Sequence, residues 1–208
     1  MPTYPVPTPI YHFTHIDNLA RLLGTGMLLC KNEMTAQNYE YRSSAFETVQ
    51  AHREGFPVPV SRRGTIHDYV PFYFNSRSPM LFTIKCGNVN DIIMQDLVFF
   101  KTSAQTVVAS GSDFAFTDGH GIMALSDYYD DLADLEEVPW NVINARYWND
   151  FLDGKRLRQS EFLVYKCFNW SLVEVVGVYN QEMKERVEQL IANLQQPPVV
   201  EVRRNWYF

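Results

Sequence analysis

The segment YVPFYFN, residues 69–75, alternates between two sets of side chains. Successive residues of a strand face opposite ways, so Tyr69, Pro71 and Tyr73 share one face and Val70, Phe72 and Phe74 the other. Apolar runs rich in β-branched and aromatic residues predict further strands in IYHFT (10–14), DLVFFKT (96–102), FAFTDG (114–119), RQSEFLVYKCF (158–168), LVEVVGVYN (172–180) and PPVVEVRRNWYF (197–208). PMLFTIKC (79–86) is also expected to be a strand, joined to YVPFYFN by an Asn-Ser-Arg-Ser-Pro turn. Helical spacing recurs in HIDNLARLLGTG (15–26), where Leu19, Leu22 and Leu23 form one stripe and Gly24 and Gly26 mark the stop before an extended return. QEMKERVEQLIANL (181–194) is a second amphipathic helix, with Met183, Val187, Leu190 and Ile191 on its apolar side. The acidic stretch ALSDYYDDLADLEEVPW (124–140) reads as a solvated helix, residues 43–53 as another, and SAQTVVASG (103–111) as a short helix or loop. With about seven short strands, three or four helices and no regular βα alternation, the pattern is that of an α+β domain.

The chain has 208 residues, 46% of them hydrophobic, which suffices for one sizeable core. A net charge of −6 argues against a protein that coats duplex DNA through a broad basic face. Local basic clusters remain at Arg62 and Arg63, at Lys155, Arg156 and Arg158, and at Arg203 and Arg204. Aromatics make up 14% of the chain, and such rings serve either core packing or stacking on flat ligands. Cys30, Cys86 and Cys167 are odd in number and widely spaced, which points to a reducing compartment. The proline-rich start has no signal-peptide character, and no apolar run approaches a membrane span, so a cytoplasmic location is expected.

No GxGxxG or GxxxxGK[ST] occurs, so the phosphate-cradling folds are excluded. No HExxH or Cys/His spacing suggests a metal. His15 reads as a surface residue at a helix start and His52 lies on a helix. His12 falls inside a strand, where a core histidine with a backbone partner is one reading. His120, on a glycine-flanked turn after a strand, is placed as active-site residues often are. Glu161 opens an apolar strand just after a run of cations. It suits either a structural ion pair or the stabilisation of a developing positive charge.

IYHFTHIDNL, GFPVPVSRRGTIHDYVPFYFNSRSPML, FAFTDGHG, QSEFLVYK and RRNWYF resemble, in order, the DarT family of bacterial toxins that ADP-ribosylate DNA using NAD. The resemblance runs through nearly the whole chain, with the acidic region only loosely family-like. It implies a single ADP-ribosyltransferase domain over 1–208, a split mixed β core with flanking helices that holds NAD without a Rossmann turn. His12, Phe13 and Thr14 would line the nicotinamide site. Arg21 and Leu29 resemble further NAD-contacting positions, and Arg53, on a segment at 35–55 that folds over NAD, resembles the family's catalytic arginine. Tyr73 and Met80 would pack near the nicotinamide, with Phe72 and Phe74 in the core. The turn between them would set Arg77 beside the site. His120 would begin, and Glu161 end, a region that presents the acceptor.

The resemblance further implies a pentosyl-transferring glycosyltransferase. Its acceptor would be thymine N3 in single-stranded DNA, its co-substrate NAD without metal, and its partner a DarG-like macrodomain antitoxin. Guanine, RNA or protein as acceptor, or a non-catalytic nucleic-acid-binding domain, are the alternatives. Guanidinium is a poor base, which gives Arg53 the task of holding an anion and makes His120 the better proton carrier.

Overall fold

The computed structural model describes residues 2–43, 47–89 and 92–208. Its strands are β1 (Pro9–His15), β2 (Met27–Leu29), β3 (Tyr69–Tyr73), β4 (Leu97–Ser103), β5 (Phe114–Thr117), β6 (Tyr128–Tyr129), β7 (Glu161–Tyr165), β8 (Cys167–Asn169), β9 (Val175–Val178) and β10 (Val199–Val202). The helices are α1 (Leu19–Thr25), α2 (Lys31–Ala36), α3 (Glu47–Gly55), α4 (Pro79–Lys85), α5 (Ala104–Ala109), α6 (Trp140–Ile143), α7 (Gly154–Leu157) and α8 (Gln181–Ile191). Eight strands form one sheet in the order β10-β9-β4-β1-β3-β7-β5-β6, and β2 pairs with β8 apart from it. β10 and β9 run parallel while the other neighbours pair antiparallel, so the sheet is mixed, as expected.

The sheet opens between β1 and β3. β1 pairs with β4 from Pro9↔Ser103 to His15↔Leu97 but meets β3 only at Tyr11↔Tyr73. Pro71 has no N–H to give to a ladder. Its carbonyl instead accepts from His12 Nδ1 at 2.8 Å, a side chain standing in for the missing strand contact. The split leaves a cleft floored by β1 and β3.

Alternation sorts the sheet into two packed faces. Ile10, Val70, Phe72, Phe74, Val98, Phe100, Phe162, Val164 and Val176 join the main core, with Leu19 and Leu22 of α1 and Met183, Val187 and Ile191 of α8. On the opposite face Phe13 and Phe99 pack with Leu81 and Ile84 of α4 and with Trp206 and Tyr207. Phe72 and Phe74 are therefore in the core, as their period required.

Three expectations fail. Residues 79–85 are helix α4, not a strand, because Ser78 Oγ accepts from the Leu81 amide at 3.2 Å and Pro79 opens the first turn. Its apolar run is a helix face, with Leu81 and Ile84 three apart and buried. The acidic segment is not one helix. Tyr128–Tyr129 pairs with β5, Asp131 caps a 3-10 turn over Leu132–Glu137, and Pro139 precedes the short α6. Crowded like charges at neighbouring positions disfavour a continuous helix there. His15 is not at the surface: its side chain is 2% exposed, and Nδ1 accepts from the Asp17 amide at 3.2 Å. The helix expected over 43–53 is observed in its later part as α3; Ser43 is not helical, and residues 44–46 lie outside the described residues.

Candidate active site

β7 begins with Glu161, directly opposite Tyr73 in the sheet register. The Glu161 amide donates to Thr117 Oγ1 at 3.0 Å, and that hydroxyl donates to the Gly119 carbonyl at 2.6 Å. One threonine thus fixes both the strand start and the turn that carries His120. Arg53 arrives from the last turn of α3. Its NH1 donates to Glu161 Oε1 at 2.8 Å and Oε2 at 3.1 Å. The two side chains are 8% and 1% exposed.

The surroundings set the protonation states. Burial disfavours the Arg53 charge, but Glu161 outweighs it and holds the guanidinium above its ordinary pKa. Burial, then the Glu161 charge, pushes the Tyr73 and Tyr128 hydroxyls well above the usual phenol range. Both stay protonated at neutral pH. Tyr128 donates to the Gly121 carbonyl at 2.7 Å. Burial lowers His120, with Arg53 and Lys155 adding to it against Glu161. His120 is therefore neutral at pH 7. Burial likewise takes His12 down to about 4, with the Pro71 carbonyl opposing.

A cavity of about 230 Å³ lies above the split. His12, Phe13 and Thr14 of β1, Tyr73 of β3 and Met80 of α4 line it, as do Leu29, Arg53, His120 and Glu161. Arg21 lies outside this lining. Its guanidinium bonds the Glu40 carbonyl and sits 5.3 Å from the ring centre of Tyr39, which does line the cavity. Arg77 is also away from it, donating from Nε to the Tyr207 carbonyl at 2.8 Å. That carbonyl belongs to the cluster that also holds Phe13, Tyr73 and Met80 of the cavity wall, so Arg77 borders the wall residues without lining the cavity itself. Among the described residues no three His, Cys, Asp or Glu side chains gather as metal ligands would.

A family model described as ssDNA thymidine ADP-ribosyltransferase, DarT, matches residues 11–208. The chain belongs to the DarT family. The DarT relative from Thermus sp. (strain 2.9), a DNA ADP-ribosyl transferase, is 40% identical over 209 residues, covering 99% of each chain. The structure of Thermus sp. 2.9 DarT in complex with ADP-ribosylated ssDNA superposes with a TM-score of 0.94 at 40% identity, covering 99% of both chains. The same Thermus protein in complex with NAD+ gives 0.88 at 37% identity, covering 99% of this chain and 100% of that one. A more distant relative, 21% identical, is the Thermosipho africanus DNA ADP-ribosyl transferase-DNA ADP-ribosyl glycohydrolase fusion protein, of which this chain spans 47%.

Several residues of this DarT site were not legible in the sequence. Asn18 clamps the chain beside the cleft: Oδ1 accepts from the Arg42 amide at 2.7 Å, and Nδ2 donates to the Arg42 carbonyl and to Thr14 Oγ1, each at 2.9 Å. His67 Nε2 meets Gln50 Oε1 of α3 at 3.1 Å and steadies the helix that carries Arg53. Gly121 approaches so closely that a Cβ there would stand 3.0 Å from Glu161 Oε2 and from the Tyr128 hydroxyl. Only the Gly-His-Gly turn hinted at this, and Tyr128 was hidden in a segment read as helix.

Proposed function

We propose that the chain is an NAD-dependent mono-ADP-ribosyltransferase that modifies thymine N3 in single-stranded DNA and acts as a bacterial toxin. The buried Arg53–Glu161 pair in the wall of the split-sheet cleft carries this reading. The cleft suits NAD as substrate. Leu22, Leu28 and Met34 give it an apolar side, Tyr39 and Tyr41 offer aromatic faces, and β1 presents backbone groups where its ladder to β3 stops. The kinship with the Thermus protein solved with NAD+ and with ADP-ribosylated ssDNA supports both substrates.

NAD supplies the ADP-ribosyl group as nicotinamide leaves, and positive charge grows on the ribose. Glu161 accepts a hydrogen bond from the ribose 2′-OH that strengthens with that charge, so it lowers the barrier rather than tightening ground-state binding. Arg53 fixes the carboxylate's orientation. Its raised pKa makes it no base. Neutral His120 takes the N3 proton of the acceptor. His12, Phe13 and Thr14 hold the nicotinamide end, with Leu29, Tyr73 and Met80 packing around NAD and Arg21 supporting it from the rim through Tyr39. Of the segment 35–55, the described residues 35–43 and 47–55 cover NAD, and residues 120–161 present the base. A free strand exposes that base without the cost of extrusion from a duplex.

The partner is a DarG-like macrodomain antitoxin, a reading supported by the fused glycohydrolase of the Thermosipho relative. The location is the cytoplasm; no helix of the described residues is long and apolar enough to cross a membrane. Incubation with NAD and three oligonucleotides tests the function: one with thymine, one with every thymine replaced, and one of the same sequence as RNA. Mass spectrometry should show a single ADP-ribose on the first alone. Equal labelling of the RNA or of the thymine-free strand would assign a different acceptor.

A further inference from the structure

α4 carries Met80 into the cleft at its start and Phe82 to the surface two residues later. Phe82, Trp148 and Phe208 pack edge to face, with centroids 5.7 Å apart for Phe82–Trp148, 5.3 Å for Phe82–Phe208 and 6.0 Å for Trp148–Phe208. Phe82 is 39% exposed and the neighbouring Tyr147 is 55% exposed. The reaction chemistry uses none of these rings.

Cations surround them. Lys85 Nζ stands 5.7 Å from the Phe82 ring centre and 5.8 Å from that of Phe208. Arg77 is 5.8 Å from Phe208, Arg158 is 6.0 Å from Trp148, and Arg146 is 5.1 Å from Tyr147. Elsewhere Arg21, Arg42, Arg62, Arg156, Arg186 and Arg203 each meet a carboxylate, while Lys31, Arg63, Lys155 and Arg204 lie scattered without an ion pair among the described residues. Among the described residues no side-chain carboxylate forms an ion pair with Arg77, Lys85, Arg146 or Arg158. Arg158 spends its donors on the carbonyls of Arg77, Val142, Ile143 and Ala145, which fixes the chain under Trp148 but leaves its charge uncompensated. In a protein of net charge −6, unpaired cations concentrated beside aromatic rings call for a planar, polyanionic partner.

We propose that Phe82, Trp148 and Phe208, with Arg77, Lys85 and Arg146, form a surface that binds the nucleotides flanking the modified base of single-stranded DNA. The inference rests on the reading of single-stranded DNA as substrate and says where the rest of the strand runs. Aromatic faces accept any base, and cations neutralise phosphates without reading sequence. The surface is continuous with the cleft: Met80 and Gln159, which line the cavity, neighbour Phe82 and Arg158 in the chain. A protein partner could use exposed rings, but it would not call for unpaired cations around them.

Fluorescence anisotropy with labelled single-stranded DNA of about fifteen nucleotides, without NAD and across a salt series, tests this. Phe82→Ala should weaken binding about tenfold, within the range for one lost base stack. Lys85→Glu should weaken it and flatten the salt dependence by about one counterion. In transfer assays both losses should appear in KM for the long strand and shrink for a strand of about three nucleotides, too short to reach the surface. Thermal melts check the fold, and the exposed Lys85 reads the same surface should Phe82→Ala fail to fold. Unchanged affinity and salt slope in the variants would overturn the proposal and assign the patch to a protein partner. Absence of transfer by the unaltered chain would instead strike the substrate reading, while the binding comparison would still report on the surface.

Discussion

Arg53→Ala is expected to damage stability as well as chemistry. A polar, irregular sequence context suggests a surface residue that could be removed without harm to the fold. The structure places its side chain 8% exposed, with NH1 2.8 and 3.1 Å from the two oxygens of a carboxylate that is itself 1% exposed. Removing one member of such a pair leaves a buried charge without a partner, which costs about 3–5 kcal/mol. For a chain of this size each kcal/mol moves Tm by roughly 2–4 °C, so Arg53→Ala should melt roughly 6–20 °C lower. Glu161→Ala should also destabilise. The double variant removes both charges and should lose less than the sum of the singles by about 1 kcal/mol or more. Urea unfolding of the four proteins at pH 7 measures the coupling, and transfer to a thymine-containing strand is assayed alongside. Stability should return in part in the double variant while activity does not, since no carboxylate is left for the ribose. Additive losses within about 0.5 kcal/mol, or a single variant losing under about 1 kcal/mol, would refute the claim that the pair is a coupled buried unit.

Glu161→Gln should lower the transfer rate by about 10²–10³ with NAD affinity largely kept, as calorimetry and single-turnover rates can show. Gly121→Ala places a methyl 3.0 Å from Glu161 Oε2 and the Tyr128 hydroxyl, so it should slow transfer by about tenfold or more with little change in Tm; a fully active variant would show that the carboxylate tolerates displacement. His12, lowered from 6.5 to about 4, binds fewer protons folded than unfolded. Its contribution is complete above pH 6.5 and is lost as pH falls toward 4, about 3 kcal/mol in all; His12→Asn should therefore flatten the acid limb of urea-unfolding stability, and an unchanged limb would contradict the buried neutral ring. Ser78→Ala should cost about 1 kcal/mol through the lost cap of α4, read by thermal melts.

Elements whose signal is local were already legible in the order of residues. Period-two alternation placed Phe72 and Phe74 in the core, and helical spacing with terminal signals found α1 and the Met183, Val187 and Ile191 face of α8, while Leu190, expected on that face, is exposed because it falls at its edge. Motif order pointed to the family, and with it to nine of the side chains that line the cavity. Short segments with mixed signals were decided otherwise. An apolar run such as 79–86 suits strand or helix equally, and a single hydroxyl at Ser78 tipped it. Tyr128–Tyr129 became a strand only because β5 offered a free edge. His15, polar in sequence, was buried against Asp17 and Asp96. Only the tertiary structure joined Arg53 to Glu161, 108 residues apart, and opened the sheet at Pro71. Periodicity records which way a side chain points relative to its neighbours in the chain. It carries no record of which distant group it meets, and that meeting sets the charge, burial and reach on which the chemistry depends.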